Sequence, residues 1–471
     1  MNIFRILKII DTSLKQEDEL TLSYIHGLKL DCFGHVAKYK TKYSGFFLQI
    51  CLFLCSLLNM VSLKKKLLDP EKAVLVFAGT KNQYNSLYPT MRALDDLAIS
   101  FNLISSREVD RNSKDFTLNL KEFLLVLYVF IRRAYKLYFR LRKEKKHIGL
   151  KLFFSSYCRN YTYLVYFTST LLKLSSSSKL KLVVMSNDHN NSNRCLRLVC
   201  EMLNIKTLYM QHASVSNLFP PLQYDYALLD GKVAFETYMN CLSNLPISYK
   251  YPINIFLSGQ KKSVNVKSEM NTELFDVGIA VNALDDFKFL EMLIEDVLKS
   301  DLTVLVRTHP RQSKAFLIQL SILTEGSNVK WCNPLEISLS GFFNSIDCLI
   351  AANSSIHLEA ALAGVATLYH EFESCVEKPD YYGYIKNELV GVLNVENIPQ
   401  SISERKLHFK SAQHQNAIKK YSATYMTCWE YKEGELSAKL IEKILKSEKF
   451  NDIFNLSRTH DLYNLYELNQ I

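Results

Sequence analysis

The sequence lacks the features that would place it in several common classes of protein. Its 11 cysteines are scattered without a CxxC pair, which excludes the usual spacing of a zinc site and the disulfide framework of a small secreted protein. No internal repeat is visible, and the one low-complexity patch is the serine run 175–178. Acids soon interrupt the short apolar patch at the N-terminus, so no signal peptide is predicted. We therefore expect a cytoplasmic protein with reduced thiols.

A long apolar run is also missing. Residues 46–63 come closest, but they barely reach spanning length and contain Gln49, Ser56 and Asn59. We expect a buried or membrane-lying helix in this segment, with a transmembrane helix as the alternative.

What the sequence does contain is enough apolar material for two domains. Its 471 residues exceed the size of one ordinary core, and 48% of them are apolar against 22% charged. The net charge of +10 is modest but clustered, because one short stretch carries eight bases and the single acid Glu144. These bases are Arg132, Arg133, Lys136, Arg140, Arg142, Lys143, Lys145 and Lys146.

The basic stretch belongs to a predicted helix over 116–146, which is apolar in its first half and aromatic and basic in its second. Such a helix either packs as a solvated amphipathic helix on its own domain or lies on anionic lipid. Nucleic acid is not an expected partner, because no recognised nucleic-acid motif accompanies the patch. We therefore expect an anionic membrane surface as the partner.

Short apolar strands alternate with helices along most of the chain, which predicts an α/β fold of two Rossmann-like domains. The first strand, 72–79, ends in glycine and precedes a polar loop and a helix opening near Pro89. The polar segment 259–272 marks the boundary, which gives domains over 1–265 and 266–440 and a helical tail over 441–471. Further strands are expected at 181–185, 207–210, 226–229, 276–281, 302–306, 348–351 and 366–369.

The residues that follow these strands are expected to bind the ligand, since open α/β sheets bind ligands beyond the carboxyl ends of their strands. In the second domain two such loops carry groups suited to a phosphate. The candidates are Arg307, Thr308, His309 and Pro310 after strand 302–306, and Ser354 and Ser355 after strand 348–351.

The two serines open a predicted helix, and hydroxyl groups beside free backbone N–H groups are typical of a phosphate site. A simple helix N-cap is the alternative role for Ser354. One turn further on, Glu359 is the only charged residue between Asn353 and His370. We expect its carboxylate to accept hydrogen bonds from two ribose hydroxyls.

The THP sequence at 308–310, the serine pair at 354–355 and the helix LEAALAG at 358–364 occur in an order and spacing that resemble the nucleotide-binding half of GT-B glycosyltransferases. The closer resemblance is to bacterial polysialyltransferases, capsule Kdo transferases and the CDP-glycerol glycerophosphotransferases of teichoic acid synthesis. The loop MQHA at 210–213 resembles the QHG or WHG loop of these proteins, with alanine in place of glycine. The resemblance covers roughly residues 180–370 and implies two Rossmann-like domains that face each other across a cleft.

The resemblance further implies that the His-Pro and Ser-Ser pairs hold the donor's phosphate and cytidine. It implies no cofactor beyond a nucleotide-activated donor and no metal, and no DxD motif is present where a metal-dependent glycosyltransferase has one. The paired acids at 95–96 and 285–286 lack the glycine of the polysialyltransferase base motif and lie in a predicted helical context.

Glycosyl transfer needs a base for the acceptor hydroxyl and a group that holds the leaving phosphate. We expect His309, with Arg307 beside it, to hold the phosphate. Asp188 or His189, which follow a first-domain strand, are the expected base, and His212 is a further candidate.

The sequence thus predicts a metal-independent glycosyltransferase that moves a sugar from a nucleotide donor, CMP-linked by preference, to a growing glycan or glycolipid such as capsule, lipopolysaccharide or O-antigen. We expect it in the cytoplasm, peripheral to the inner face of the plasma membrane. A polyol-phosphate transferase with a CDP-polyol donor, a sugar-nucleotide 2-epimerase and an inactive scaffold are the alternatives.

Overall fold

The computed structural model describes most of the chain. The predicted linker residues 261–272 and the bases at 145 and 146 lie outside the described residues. The described residues are 2–23, 46–62, 68–106, 109, 116–143, 154–217, 219–244, 252–260, 273–283, 285–325, 328–373 and 380–469.

Strands and helices alternate along this part of the chain. In chain order the strands are β1 (Val74–Ala78), β2 (Phe101–Ser105), β3 (Leu182–Met185), β4 (Lys206–Met210), β5 (Tyr226–Leu229), β6 (Ile253–Leu257), β7 (Phe275–Ala280), β8 (Val304–Arg307), β9 (Val329–Cys332), β10 (Ile346–Ala351), β11 (Ala366–Tyr369), β12 (Gly391–Val392), β13 (Phe454–His460) and β14 (Tyr463–Leu468). The helices are α1 (Ile3–Gln16), α2 (Glu19–Leu22), α3 (Phe46–Leu58), α4 (Lys81–Asp96), α5 (Leu120–Lys143), α6 (Phe154–Leu174), α7 (Asn191–Met202), α8 (Lys232–Asn244), α9 (Phe287–Leu298), α10 (Lys314–Thr324), α11 (Leu339–Asn344), α12 (Ile356–Leu362), α13 (Ile398–Phe409), α14 (Ala412–Tyr421) and α15 (Glu433–Lys446).

The first sheet has the strand order β13-β14-β6-β5-β4-β3-β1-β2 and is parallel except for the β13–β14 pair. Strands β1 and β3 are buried along their whole length, because helices cover both faces of the sheet. The chain passes from β1 to its neighbour β2 and then to β3 on the other side of β1. The point where the order reverses therefore lies between β1 and β3, where such sheets bind ligands.

The second sheet is parallel throughout, with the order β12-β11-β10-β7-β8-β9. Its first strand, β7, lies between β8 and β10, so the order reverses between β7 and β10. The two sheets have separate apolar cores. This confirms the predicted α/β class with two Rossmann-like domains of the GT-B type.

Helices α1, α2, α3 and α5 of the first domain pack on α6. Its side chains Tyr161, Tyr166 and Phe167 are fully buried. Within the apolar run, residues Phe46–Leu58 form the 13-residue helix α3. No helix among the described residues is long and apolar enough to cross a bilayer.

Two sequence-based predictions of secondary structure are wrong. Helix α4 begins at Lys81 and not near Pro89, because the Thr80 hydroxyl accepts a hydrogen bond from the backbone N–H of Gln83 and caps the helix there. The predicted helical tail ends at Lys446. Beyond it β13 and β14 form an antiparallel hairpin, and β14 adds to β6 because alternate apolar side chains, including Tyr463 and Leu465, face the core.

The C-terminal part of the chain therefore returns to the first domain. The backbone N–H of Ala423 donates to Asp230 O at 2.8 Å, and that of Gln260 donates to the Ser422 hydroxyl at 3.0 Å. Helix α15 then packs across α4, and Gly434 lies against the backbone of Pro89. This crossing needs glycine, because a Cβ at position 434 would lie 2.7 Å from the Pro89 carbonyl carbon.

We expect Gly434→Ala to lower the free energy of unfolding by about 1–2 kcal/mol, because overpacking against backbone outweighs the better helix propensity of alanine. Urea denaturation measures this. Glu435→Ala, on the exposed side of the same helix, is the matched control and should leave stability nearly unchanged. A stabilised Gly434→Ala variant would contradict the close crossing.

Candidate functional site

The loops at the carboxyl edge of the second sheet are joined by Asn282, which follows β7. Its side-chain amide donates to Asn353 O at 3.1 Å, and its own carbonyl accepts a hydrogen bond from Gln312 Nε2 at 3.1 Å. The loops after β7, β8 and β10 are therefore held together at the point where the strand order reverses. This is the place where the sequence predicted the donor site.

Asn353 extends this network to two further segments. Its Nδ2 donates to the Tyr369 hydroxyl at 3.1 Å, and its Oδ1 accepts from the backbone N–H of Tyr381 at 2.9 Å. The loop after β10 is thus fixed both to the end of β11 and to residues 380–384. Both polar atoms of the Asn353 side chain therefore hold the loop after β10 in place, one through the Tyr369 side chain and one through the Tyr381 backbone.

His309 lies half-buried in the loop after β8. Its Nδ1 accepts a hydrogen bond from the backbone N–H of Arg311 at 3.0 Å. Burial, together with the charge of Arg311, lowers the pKa of His309 below its ordinary value. A neutral imidazole whose Nδ1 accepts a hydrogen bond carries its proton on Nε2, so His309 presents a neutral N–H donor. Its neighbours Thr308 and Pro310 are buried and exposed, respectively.

Arg307, the last residue of β8, contacts a neighbouring loop. Its Nη1 donates to Ile337 O at 2.9 Å, and its guanidinium lies 5.6 Å from the centre of the Phe342 ring. Arg307 therefore holds the loop before α11 through Nη1.

The serine pair and Glu359 all lie on α12 or directly before it. The Ser354 hydroxyl accepts a weak hydrogen bond from Ile356 N at 3.4 Å, whereas Ser355, the N-cap, makes no side-chain capping bond. Glu359 is half-buried in the first turn. The helix is pinned to the end of β10, because the buried His357 Nε2 donates to Ala352 O at 3.0 Å.

Asp285, which was not predicted to be the base, also lies at this edge of the second sheet. Asp285 precedes α9, whose N-cap is Asp286, so this acid pair is in the helical context that was predicted. Burial first, and then the negative charges of Glu373 and Glu371, raise the pKa of Asp285 to about 7. Its Oδ2 accepts a hydrogen bond from Asn282 N at 2.7 Å. Asp285 therefore titrates near neutral pH.

The candidate base residues lie at the carboxyl edge of the first sheet, after β3. Asp188 Oδ1 lies 2.8 Å from His189 Nδ1, and Asp188 Oδ2 accepts a hydrogen bond from the Tyr238 hydroxyl at 2.7 Å. The Tyr238 and Tyr209 hydroxyls are 2.9 Å apart. Asp188 is thus surrounded by hydrogen-bonding groups.

Asp188 and His189, the two candidates for the base, differ in their exposure. The side chain of Asp188 is 1% exposed and that of His189 is 20% exposed. Burial alone would raise the pKa of Asp188, but the hydrogen bond and charge of His189, the hydrogen bond of Tyr238 and the charge of His212 lower it. The buried carboxylate of Asp188 thus orients the ring of His189 through Nδ1, and His189 is the more exposed member of the pair.

The carboxyl edges of the two sheets meet through the loop after β4 and the segment 380–384. The Ser214 and Tyr384 hydroxyls share a buried hydrogen bond. The Tyr381 hydroxyl is hydrogen bonded with Ser216 and lies within electrostatic range of Asp188. Because Tyr381 N also contacts the donor-site loop, this segment connects the two candidate sites.

Asp188, His189 and His212 thus follow strands of the first sheet, and His309, Ser354, Ser355 and Glu359 follow strands of the second. Five residues that were not predicted as site residues also take part in these hydrogen-bond networks, namely Asn282, Tyr238, Asp285, Asn353 and Tyr381. Position after a strand was a signal for the two asparagines and Asp285, whereas nothing in the sequence marked the two tyrosines. Among the described residues, no group of three or more His, Cys, Asp and Glu side chains is arranged to hold a metal ion.

Comparison with known proteins gives a similarity of fold. No protein-family model matches the chain, and no curated protein sequence is significantly similar. The UDP-GlcNAc 2-epimerase of Methanocaldococcus jannaschii, solved with UDP-GlcNAc and UDP, is 15% identical over 78% of this chain and 99% of its own, with a TM-score of 0.45. Acinetobacter baumannii MurG is 11% identical over 79% and 99% of the chains (TM-score 0.43), and the glycotransferase of kitacinnamycin is 9% identical over 80% and 100% (TM-score 0.48).

The raised pKa of Asp285 gives a prediction for stability. Between the pKa of an unfolded aspartate and about 7, the unfolded chain has lost the proton that the folded chain keeps, so this residue lowers stability as pH rises. We expect Asp285→Asn to raise the free energy of unfolding by about 2–4 kcal/mol at pH 7 or above.

The same substitution should have little effect near pH 3, because both states are then largely protonated. Thermal or urea unfolding across this range measures the difference. Asp286→Asn, which keeps a capping side chain on the exposed neighbour, is the control. A gain of equal size at every pH would contradict the titration.

Proposed function

We propose that this protein is a glycosyltransferase that uses a nucleotide-activated sugar. The observation that carries the proposal is the buried Asp188–His189 pair beyond β3, joined through residues 380–384 to the loops that hold His309 and the serine pair. One side offers a positioned base and the other offers donors for a phosphate. Glycosyl transfer requires these two elements near each other.

On the acceptor side, His189 Nε2 takes the proton of the acceptor hydroxyl as its oxygen forms a bond to the anomeric carbon. The bond between that carbon and the donor phosphate breaks, and the nucleotide leaves with the electron pair. Asp188 does not touch the substrate. It holds Nδ1 protonated and stabilises the imidazolium that forms, as a buried carboxylate does in other hydrolytic and transfer sites.

On the donor side, His309 donates its Nε2–H to a phosphate oxygen that gains charge as the sugar leaves. Ser354 and Ser355 offer hydroxyl groups to the same phosphates, and Glu359 accepts hydrogen bonds from the ribose. Arg307 is proposed to contribute there as well, since Nη1 donates to the carbonyl of Ile337 and the guanidinium carries further N–H groups.

The finer identity rests on the resemblance of 308–310, 354–355 and 358–364 to enzymes of bacterial surface polysaccharides. It favours a CMP-sugar donor and a growing capsule, lipopolysaccharide or O-antigen glycan as acceptor. A glycan or glycolipid of this kind is assembled at a membrane, so we place the enzyme at the inner face of the plasma membrane.

Nucleotide binding tests the donor site. We expect CMP or CDP to raise the melting temperature more than UDP or GDP, with about 2.7 kcal/mol of added stability at 100 times the dissociation constant. Glu359→Gln should weaken this shift, while Glu325→Gln, on the exposed end of α10, should not. A clear preference for UDP would reject the cytidine donor, and no shift with any nucleotide would reject the site.

The Asp188–His189 pair predicts a second result. In Asp188→Asn the side-chain amide donates to His189 Nδ1 and keeps the proton on Nε2, so the imidazole cannot accept a proton from the acceptor. We expect turnover, measured as nucleotide release from the sugar donor, to fall on the order of a hundredfold or more. Donor binding should remain.

Tyr238→Phe is the matched control, because it removes one hydrogen bond to Asp188 and keeps the carboxylate. Its turnover should fall far less, and circular dichroism should show both variants folded. Full activity of Asp188→Asn would contradict the proposed base. An isomerised nucleotide sugar as the main product would identify an epimerase instead.

A further inference from the structure

The solvent-facing side of α5 is apolar over most of its length. Its exposed large side chains recur every three or four residues, so they form one stripe along the helix. At about 1.5 Å per residue this stripe is about 29 Å long. Its members are Leu120, Leu124, Tyr128, Ile131, Tyr135 and Phe139.

A second helix widens this surface. Helix α3 lies beside α5, where the Phe53 and Phe130 rings stack with centroids 4.9 Å apart, and both helices pack on α6. On α3 the side chains of Leu48, Leu52 and Leu58 are exposed. An apolar surface formed by two adjacent helices is larger than the scattered exposed residues of ordinary protein surfaces, and such patches mark interaction sites.

The exposed charges that α3 and α5 themselves carry have one sign. The only acid within α3 and α5 is Glu122, which is fully buried and accepts a hydrogen bond from Asn119 N. Lys121 and Lys136 are exposed beside the stripe. In a symmetric dimer through this face, the bases of one copy would oppose those of the other, which disfavours self-association.

Three arginines of the predicted lipid-binding stretch form ion pairs within the chain. Arg133 lies 2.6 Å from Glu19, Arg140 lies 2.6 Å from Asp18, and Arg132 lies 3.4 Å from Asp11. These ion pairs attach α1 and α2 to α5. The side chain of Arg142 and the bases at 145 and 146 lie outside the described residues. The apolar stripe, and not the row of arginines, is therefore the main contact surface.

We propose that the exposed faces of α3 and α5 form a docking surface for an anionic lipid leaflet. The two helices lie along the membrane plane, with their apolar side chains at the boundary between headgroups and acyl chains and the adjacent lysines at the headgroups. No helix among the described residues spans a bilayer, which agrees with a helix pair lying on the surface. The inference does not depend on the donor or on the catalytic residues.

Vesicle sedimentation of the full chain tests the surface. We expect binding to vesicles of phosphatidylglycerol and phosphatidylcholine in equal parts, and much weaker binding to phosphatidylcholine alone. The double variant Ile131→Glu and Tyr135→Glu should bind the anionic vesicles on the order of tenfold less or weaker still. Ile322→Glu is the matched control, because Ile322 is 67% exposed on α10 of the other domain and Ile131 is 74% exposed. Its binding should be unchanged.

Three results would overturn the proposal. Equal binding to both kinds of vesicle would exclude an anionic requirement. A wild-type dimer that the double variant converts to a monomer, without vesicle binding by either, would assign the face to self-association. A melting temperature lowered by the double variant but not by Ile322→Glu would show that the chain covers this face itself. Nucleotide binding, measured on the same variants, should remain and reports separately on the proposed donor site.

Discussion

The buried hydrogen bond between the hydroxyls of Ser214 and Tyr384 is the interaction on which the arrangement of the site depends. Ser214 follows a strand of the first sheet, and Tyr384 belongs to a segment whose Tyr381 N–H holds the Asn353 side chain in the second. Leaving either hydroxyl buried without a partner would cost about 1–3 kcal/mol. The loop after β4 of the first sheet and the segment 380–384 are therefore in direct contact at the carboxyl edges of the two sheets.

The return of the chain to the first domain reinforces this arrangement. Residues 422–424 contact the ends of β5 and β6, and Gly259, with φ +76°, has no room for a side chain because Thr424 lies where its Cβ would be. Helix α15 and the hairpin β13–β14 then complete the first domain. The second domain is thus connected to the first at both of its ends, which limits how the two edges can separate.

Two aspartates, one in each domain, have pKa values shifted in opposite directions. Both Asp188 and Asp285 are desolvated, yet the partners of Asp188 lower its pKa, while burial, together with the charges of Glu373 and Glu371, raises the pKa of Asp285 to about 7. Asp188 therefore stays ionised and can stabilise an imidazolium, whereas Asp285 is partly neutral near the place proposed for a phosphate. Environments that separate the pKa values of like residues are typical of sites that carry out acid–base chemistry.

The sequence by itself determined the two α/β domains, because buried parallel strands require continuous apolar runs such as VLVFA at β1, and it located the residues after those strands, His309, Ser354 and Asp188 among them. It also showed the basic stretch near α5. Only the tertiary structure decided which of these residues act together. It directed Arg307 to a neighbouring loop, attached arginines of α5 to acids of α1 and α2, and brought Tyr238 to Asp188 from 50 residues away in the chain. Strand periodicity is a local property of the chain, whereas a side chain's partners depend on packing between distant segments, and no pattern along the sequence records that packing.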